Sequence, residues 1–300
     1  MSRPLVVALP GDEELAAHLA AELHADIADT EIRSFPDEET YLRIDSPVSG
    51  RAVAVVASLA RPNSRTLPTL LLASTLRDLS PASLGLITPY LAYMRQDARF
   101  RPGEGITSRY FGALISNHFD WLVTVDPHLH RVDTLEGTYT IPHTLVSSAE
   151  PIARWISEEI HRPLLVGPDE ESAQWIAPIA TAGGFPTVIL EKERTGDFDV
   201  QVSELSAAEI PADDLTALTP ILIDDIISTG RTMIEAIKAL NAAGLAPPTC
   251  LGIHGLFVDD AREALRDAGA ARIVTCNTID DPTNAIDLWP AIASATAPFL

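Results

Sequence analysis

The segment from Pro220 to Met233, PILIDDIISTGRTM, places two adjacent acids between an apolar run and a turn of small residues. Closely spaced backbone N–H groups and hydroxyls at the start of a helix form a cradle for a phosphate. Asp224 and Asp225 would lie beside that phosphate and accept hydrogen bonds from sugar hydroxyls. The turn itself would be formed by Ser228, Thr229, Gly230, Arg231 and Thr232. The segment therefore predicts a sugar-phosphate site.

A plainer interpretation is an ordinary helix start, in which the hydroxyl of Ser228 or Thr229 caps the helix. That interpretation leaves two adjacent acids at the end of a buried strand unexplained. We therefore favour the phosphate cradle and expect Asp224 and Asp225 to end the strand Pro220–Ile223.

A second candidate segment, WLVTVDPHLHR, runs from Trp121 to Arg131 and places Asp126, His128 and His130 after a strand. An acid and an imidazole in this position can hold a metal ion or a triphosphate. A zinc site is the alternative for His-x-His, but the sequence offers no convincing further set of ligands. For His130 we favour a plain surface histidine.

A third segment, EKERTGDF, begins at Glu191 and contains Lys192 and Arg194. Only one other lysine, Lys238, occurs in the chain. Two cations in an exposed loop can meet phosphate groups, whereas the alternative is an ion-paired surface run with Glu191 and Glu193.

These segments are embedded in an alternation of short apolar runs and longer amphipathic stretches, which predicts βαβ units and a mainly parallel, doubly wound sheet. The predicted strands are Leu5–Leu9, Ala52–Ser58, Ser83–Pro89, Trp121–Val125, Pro163–Val166, Thr187–Leu190, Pro220–Ile223, Thr249–Ile253 and Arg272–Thr275. The predicted helices are Asp12–His24, Thr66–Leu79, Ser108–His118, Pro151–Ile160, Ser172–Ala182, Arg231–Ala243 and Asp260–Ala268. Arg95–Gly105 and Glu191–Asp199 are predicted to be exposed loops.

The two halves of the chain share this element order, which suggests a duplication. We predict two similar α/β domains, residues 1–146 and 147–300, with a boundary near Ile141–Ser148 and the last residues packing back on the first domain. Each domain is expected to be a mainly parallel sheet flanked by helices.

Composition limits the class of partner. The formal net charge of −21 disfavours nucleic acids and anionic membranes, which both need a basic surface. We see no uncharged apolar run of the roughly 18 residues that a membrane helix needs. Cys250 and Cys276 fit buried positions in a reducing compartment better than a disulfide framework. We therefore expect a cytoplasmic protein.

The Asp224–Thr232 segment resembles the phosphoribosyl-diphosphate fingerprint of type I phosphoribosyltransferases. Three further segments are similar to the ribose-phosphate diphosphokinase family, in family order and over nearly the whole chain. They are FPDEETYLRI (Phe35–Ile44), ITPYLAYMRQDARF (Ile87–Phe100) and HGLFVDDAREALRDAGAARIVTCNTI (His254–Ile279).

This resemblance implies transfer of the diphosphoryl group of ATP to the 1-hydroxyl of ribose 5-phosphate, with Mg²⁺ as the cofactor. It implies a homo-oligomer built from dimers, of tetramer or hexamer size, with no nucleic-acid or membrane partner. The ATP site would take Phe35, Asp37 and Glu39 from a neighbouring subunit and Arg95, Gln96 and Asp97 from its own.

The resemblance also assigns the remaining roles. His128 and Asp169 would lie near the metal, and His128 would also lie near the phosphates. Lys192 and Arg194 would close over the transferring phosphates, where positive charge stabilises the transition state. The chain departs from the family at Glu170–Glu171–Ser172, where small residues are usual, and at two turn positions, Ser228 and Arg231.

These departures bear on efficiency and on regulation by ADP or phosphate. Two alternatives to the diphosphokinase stay open, the first because of the altered Asp169–Ser172 turn and the second because it shares the Asp224–Thr232 segment. One is a non-catalytic homologue that binds the same ligands. The other is a base phosphoribosyltransferase that consumes phosphoribosyl diphosphate, although such an enzyme needs neither the ATP segments nor a second complete domain.

Overall fold

The computed structural model of the chain describes residues 2–129, 134–192, 198–199 and 217–300. His130 and Arg194 lie outside these ranges. The chain divides into two compact units. The first comprises Met1–Val146 together with Trp289–Leu300, and the second comprises Ser147–Leu288.

Strands of the first unit form a six-stranded sheet and a separate hairpin. They are β1 (Leu5–Ala8), β2 (Asp26–Ile27), β3 (Thr30–Ser34), β4 (Thr40–Ile44), β5 (Ala52–Val56), β6 (Ser83–Ile87), β7 (Trp121–Val125) and β8 (His143–Val146). The sheet has the order β2-β1-β5-β6-β7-β8, and its neighbouring strands are parallel. β3 and β4 pair with each other in antiparallel fashion.

Strands of the second unit repeat this arrangement. They are β9 (Pro163–Gly167), β10 (Thr187–Ile189), β11 (Glu191–Lys192), β12 (Phe198–Asp199), β13 (Thr219–Ile227), β14 (Thr249–Gly255), β15 (Arg272–Cys276) and β16 (Asn284–Ile286). The parallel sheet has the order β10-β9-β13-β14-β15-β16, and β11 pairs antiparallel with β12. The prediction of two similar, mainly parallel α/β domains is confirmed.

Helices connect most of the parallel strands that follow one another in the chain, since parallel neighbours need a crossover connection. Those of the first unit are α1 (Glu13–Glu22), α2 (Pro62–Asp78), α3 (Thr107–Ser116) and α8 (Trp289–Thr296). Those of the second are α4 (Ala149–Glu159), α5 (Ala173–Gly183), α6 (Arg231–Ala242) and α7 (Ala261–Ala268). None of the helices in the described part of the chain has the length and apolar character needed to cross a bilayer.

Each helix buries one face against its sheet. In α6 the buried positions follow the helical repeat, and the strands beneath are buried on both faces because helices cover them. The core of the second unit includes Met233, Ile237 and Leu240 of α6 with Leu164 and Leu222 of the sheet. In the first unit α8 packs against α1, β7 and β8, and the rings of Trp121 and Phe299 stack with centroids 4.8 Å apart.

Several elements differ from the sequence prediction. β13 does not end at Ile223 but continues to Ile227, because the apolar run resumes after the two acids and pairs with β14 as far as Gly255. α2 begins at Pro62 rather than at Thr66, since proline suits the first helical position. The predicted Glu191–Asp199 loop begins and ends in the paired strands β11 and β12.

Six further elements were not predicted from the sequence, namely β2, β3, β4, β8, β16 and α8. β2 and β16 have two and three residues, too few to show a period. The β3 sequence, TEIRS, has a single apolar residue and reads as a loop.

Candidate functional site

The acids of the second unit lie where two neighbouring strands part. β9 pairs with β13 only as far as Val166 and Leu222, whereas β13 pairs with β14 up to Ile227. Asp224 and Asp225 therefore occupy a part of β13 that has lost its β9 neighbour. Crevices of this kind, at the carboxyl ends of parallel strands, are the usual ligand sites of open α/β sheets.

Three carboxylates interact in this crevice. Burial raises the pKa of Asp224 well above its ordinary value, and the negative charges of Asp225 and Asp169 raise it further. Burial also raises the pKa of Asp169, an effect to which Glu171 and Asp225 add. Asp225 is only 3% exposed, and its backbone N–H donates to Asp224 Oδ1 at 3.0 Å. The sequence-predicted residues Asp169, Asp224 and Asp225 are thus brought together.

The turn after β13 has the backbone that a phosphate cradle needs. The N-cap of α6 is Gly230, in the left-handed region with φ +70°, so no hydroxyl caps the helix. The alternative of Ser228 or Thr229 as an ordinary cap is therefore wrong. Thr229, Arg231 and Thr232 are exposed around the turn. A Cβ at Gly230 would meet Leu265 Cγ at 3.2 Å, a second reason for glycine there.

The segment that departs from the family forms a short 3₁₀ turn, Glu170–Ser172, immediately after Asp169. Ser172 donates to Asp169 from its backbone N–H, at 3.1 Å from Oδ1, and from its hydroxyl to the backbone carbonyl. Ser172 is buried, whereas Glu170 and Glu171 are exposed. The two glutamates therefore add negative charge at the rim of the crevice.

In the first unit, two predicted segments follow neighbouring strands of the sheet. Arg95, Gln96 and Asp97 lie in the irregular segment after β6, and His128 lies half-buried just after β7. The Gln96 carbonyl accepts the Ser108 backbone N–H at 3.3 Å, which joins this segment to the start of α3. Since parallel strands place their carboxyl ends at one edge, both segments start from the same edge of the sheet.

Glu104 supports the same segment and was missed in the sequence analysis. Its Oε2 accepts the backbone N–H groups of Phe100 and Arg101 at 2.8 and 3.0 Å. An acid within a run rich in arginine and glycine offers no signal of this role, because it reads equally as an ion-pair partner.

The predicted adenine-contacting residues occupy the tip of the β3–β4 hairpin. Phe35 is 41% exposed, and Asp37 and Glu39 are exposed beside it. The Phe35 N–H donates to the Glu39 carbonyl at 2.7 Å, which closes the turn. The Arg33 guanidinium lies over the rings of both Phe35 and Tyr41, at 5.0 and 4.2 Å. The hairpin thus presents an aromatic face supported from behind by a cation.

The predicted catalytic cations are only partly described. The backbone of Lys192 belongs to β11, opposite Phe198, whereas Arg194 lies outside the described residues. Lys192 follows the edge strand β10, which neighbours β9, the strand after which Asp169 lies.

The described residues contain no group of three or more His, Cys, Asp or Glu side chains arranged to hold a metal ion by themselves. The two residues predicted to lie near the metal, His128 and Asp169, belong to different units. The donor set that the second unit does offer is carboxylate oxygen, which suits Mg²⁺. Mg²⁺ normally combines one or two carboxylates with water and substrate phosphates, so an incomplete protein shell fits this ion.

Comparisons with known proteins agree with this geometry. Residues 5–118 match the N-terminal domain of ribose phosphate pyrophosphokinase, and residues 139–290 match the phosphoribosyl transferase domain. A ribose-phosphate pyrophosphokinase from Saccharolobus solfataricus is 34% identical over 94% of this chain and 95% of its own. One from Methanobrevibacter smithii is 30% identical over 97% of this chain and 99% of its own.

A solved structure shows the same similarity in three dimensions. The phosphoribosylpyrophosphate synthetase from Mycobacterium smegmatis superposes with a TM-score of 0.83 at 25% identity, covering 98% of this chain and 97% of that chain. The matches extend over both units, and the relatives carry one name. The chain belongs to the ribose-phosphate pyrophosphokinase family, whose members are ATP-dependent diphosphotransferases.

Proposed function

We propose that this chain transfers the β,γ-diphosphoryl group of ATP to ribose 5-phosphate, and that the two units hold one substrate each. The sugar 1-hydroxyl oxygen bonds to the β-phosphorus, and the bond from that phosphorus to the α,β-bridging oxygen breaks. The hydroxyl loses its proton, and AMP and phosphoribosyl diphosphate leave. The observation that carries this proposal is the carboxylate crevice next to an uncapped helix start at Gly230.

Ribose 5-phosphate binds, in this proposal, at the turn after β13. The 5-phosphate lies against the backbone N–H groups of Ser228–Thr232 at the start of α6, where the helix dipole favours an anion. Asp224 and Asp225 accept hydrogen bonds from ring hydroxyls. Arg231 is exposed at the first position of α6 and adds a cation to the turn.

Mg²⁺ fits the oxygen donors of the second unit, and Asp169 with Asp224 or Asp225 would hold it. Burial and mutual repulsion of these acids support the assignment, since a bound cation would offset both. When bound, Mg²⁺ neutralises charge on the phosphates during transfer. His128 of the first unit is proposed to contact the phosphates and, by resemblance to the family, the metal.

ATP binds, in this proposal, at the carboxyl edge of the first sheet and at the hairpin of a neighbouring subunit. Arg95, Gln96 and Asp97 line the site from their own chain. Phe35 offers its exposed ring to the adenine, with Asp37 and Glu39 beside it. Lys192 and Arg194 meet the β- and γ-phosphates and stabilise charge as it moves to the leaving AMP.

The same proposal implies an assembly and a location. Phe35 can serve a neighbour's adenine only in a homo-oligomer, so we propose a dimer-based assembly of tetramer or hexamer size. The cytoplasm is the proposed location, because it supplies ATP and sugar phosphates and keeps buried thiols such as those of Cys250 and Cys276 reduced.

Purified chain incubated with ATP, Mg²⁺ and ribose 5-phosphate tests the reaction, with AMP and phosphoribosyl diphosphate both quantified. We expect equal amounts of the two products. Thr229→Trp should raise the KM for ribose 5-phosphate at least tenfold and leave ATP binding unchanged. Thr181→Trp, at an exposed position of α5, is the matched control. Absence of phosphoribosyl diphosphate, or consumption of it in the presence of a free base, contradicts the proposal.

A further inference from the structure

The phosphate turn rests on a backbone segment from the next β-α connection. Leu256 and Phe257 both donate their N–H groups to the Ile227 carbonyl, at 2.9 and 3.0 Å. Val258 donates to the Ser228 carbonyl at 3.0 Å. The carbonyls at the start of the turn are therefore held from behind, which fixes the peptide planes whose N–H groups follow.

That backing segment, Leu256–Val258, has an unfavourable backbone of its own. Phe257 has φ +39°, in the left-handed region that side chains other than glycine rarely adopt. Such conformations persist only where surrounding contacts enforce them. Within the second unit, Phe257 is held by its backbone N–H, which donates to the Ile227 carbonyl, and by the packing of its ring.

The ring of Phe257 is buried and held from two sides. Beneath it, a Cβ at Gly255 would lie 2.6 Å from Phe257 Cε2, so glycine is required there. Above it, the Arg262 guanidinium of α7 lies 4.7 Å from the ring centroid. Arg262 is ion-paired with Asp281, a carboxylate with 5% side-chain exposure. Asp281 is itself fixed by the N–H and hydroxyl of Thr283, at 3.0 and 2.7 Å.

We propose that Phe257 and Arg262 are positioning residues for ribose 5-phosphate. The ion pair with Asp281 anchors the guanidinium, the guanidinium holds the ring, and the ring keeps the backing segment against Ile227 and Ser228. Neither side chain needs to touch the substrate. The inference rests on the proposed function, because it takes the turn after β13 as the sugar-phosphate site.

The second unit contains a matched control for the chemistry. Arg272 lies over the Trp155 ring at 4.9 Å and is ion-paired with Glu159 at 3.0 Å. Arg272 is the first residue of β15, so this pair lies at the amino-terminal edge of the same sheet, opposite the turn. Losing either arginine removes one stacking contact and one ion pair, but only Arg262 supports the backing segment.

The experiment compares Arg262→Ala, Arg262→Lys, Phe257→Leu and Arg272→Ala in steady-state kinetics and in direct calorimetric titration with ribose 5-phosphate. We expect Arg262→Ala and Phe257→Leu to raise the KM and the Kd for ribose 5-phosphate about tenfold, because small displacements of a positioning group are costly. The KM for ATP should stay within twofold. Arg262→Lys keeps a cation over the ring and should recover part of the loss. Arg272→Ala should bind ribose 5-phosphate like the wild type.

Outcomes separate the two proposals. An active wild type whose Arg262→Ala and Phe257→Leu variants bind ribose 5-phosphate like Arg272→Ala overturns the positioning role and leaves the proposed function intact. Equal losses for ribose 5-phosphate and ATP overturn it as well, since they indicate general damage to the fold. A wild-type chain that neither forms phosphoribosyl diphosphate nor binds ribose 5-phosphate overturns the proposed function and this inference with it.

Discussion

The carboxyl ends of β1 and β5 and those of β9 and β13 occupy the same place in one repeated topology, yet their charges are arranged differently. In the second unit, the charges that act on Asp224 come from two further carboxylates, Asp225 and Asp169. In the first unit, an aspartate after β1 is paired with an arginine of the same unit. The second unit therefore presents several acids that suit a bound cation, whereas in the first unit an arginine side chain provides the positive charge.

The arginine of the first unit pairs with the aspartate at this end of the sheet, which we call the closed end. Arg65 is ion-paired with Asp12, and its remaining nitrogens donate to the carbonyls of Ser58 and Pro10. The Ser58 N–H donates to the same Asp12 carboxylate at 3.2 Å. Ser58 follows β5, the counterpart of the acid-bearing β13. The first unit thus uses this position for a structural ion pair, whereas the second unit presents acids there, so one topology can serve different uses according to its charges.

The segments that follow the edge strands differ in a similar way. After β2 comes the β3–β4 hairpin, whose tip exposes Phe35, and after β10 come β11 and β12, with Lys192 in β11. An aromatic ring suits a base, whereas a lysine suits phosphate. In the proposed function, the same place in the two units therefore meets the two ends of ATP, the base in one unit and the phosphates in the other.

The largest expected effect comes from removing the positive charge of Lys192 in the second unit. Lys192→Ala should lower kcat about 10³-fold with modest changes in either KM, because a charge acting in the transition state affects kcat. Lys238→Ala is the control: it is the only other lysine, and it forms an exposed pair with Glu235 at 2.7 Å. Steady-state kinetics measures kcat for both variants, and circular dichroism checks that both are folded. A folded Lys192→Ala enzyme with wild-type kcat removes this segment from the mechanism.

The second effect tests the crevice. Asp224→Asn should lower kcat/KM for ribose 5-phosphate about 10²-fold and raise the Mg²⁺ concentration needed for half-maximal rate. The amide oxygen can still accept the Asp225 N–H, and the repulsion from Asp225 and Asp169 is relieved. Thermal unfolding should therefore occur at the wild-type temperature or above. Lost activity with lost stability would instead assign Asp224 a structural role.

The sequence predicts the crevice better than it predicts its closed counterpart. Two adjacent acids before a hydroxyl-rich turn are a strong local signal, because all these residues lie close together in the sequence, between an apolar strand and the start of a helix. Asp12 and Arg65 are far apart in sequence, and each resembles an ordinary charged surface residue. Their pairing depends on the β1–β5 register and on the start of α2 at Pro62, which the apolar periodicity placed four residues late.

The burial of a strand explains whether it could be predicted from the sequence. β5, β6 and β7 are buried and read as apolar runs, so their existence and type follow from composition. The β3–β4 hairpin is paired only with itself and partly exposed, so its sequence carries polar residues on both faces. The backing segment Leu256–Val258 acts through its backbone N–H groups. Because every residue except proline carries such a group, the sequence gives no sign of this role.

A third effect, on stability, tests the closed end. Arg65→Met should lower the free energy of unfolding by about 3 kcal/mol, because removing one partner leaves a buried carboxyl without its counter-charge. The KM for ribose 5-phosphate should not change. Arg61→Met, at an exposed position just before α2, is the control and should unfold like the wild type. Urea unfolding checks the values, and a variant as stable as Arg61→Met would show that Arg65 contributes nothing to the first unit.

The smallest effect concerns the pH dependence of the same pair. Burial raises the pKa of Asp12 to about 7, although Arg65 and the Ser58 N–H lower it. Between the unfolded value of 3.8 and about 7, the native chain binds more protons at this site than the unfolded chain. This contribution to stability is therefore complete below pH 4 and is lost as the pH rises through 7.

Asp12→Asn removes that titration and keeps an oxygen that can accept from Ser58 and Arg65. Relative to this variant, the wild type should lose about 3 kcal/mol of unfolding free energy between pH 5 and pH 8. Asp120→Asn is the control: burial raises the pKa of Asp120, but the bonds from Arg77 and the Leu84 N–H prevail and lower it. Because the pKa of Asp120 is lowered, this carboxyl titrates below the pH range of the experiment. The difference in unfolding free energy between Asp120→Asn and the wild type should therefore stay constant from pH 5 to pH 8. Urea unfolding at pH 5, 6, 7 and 8 measures both differences, and a flat Asp12 difference would mean that Arg65 keeps the carboxylate charged throughout. The closed end would then be an ion pair of constant charge, and its contrast with the neighbouring acids of the second unit would be one of charge over the whole pH range.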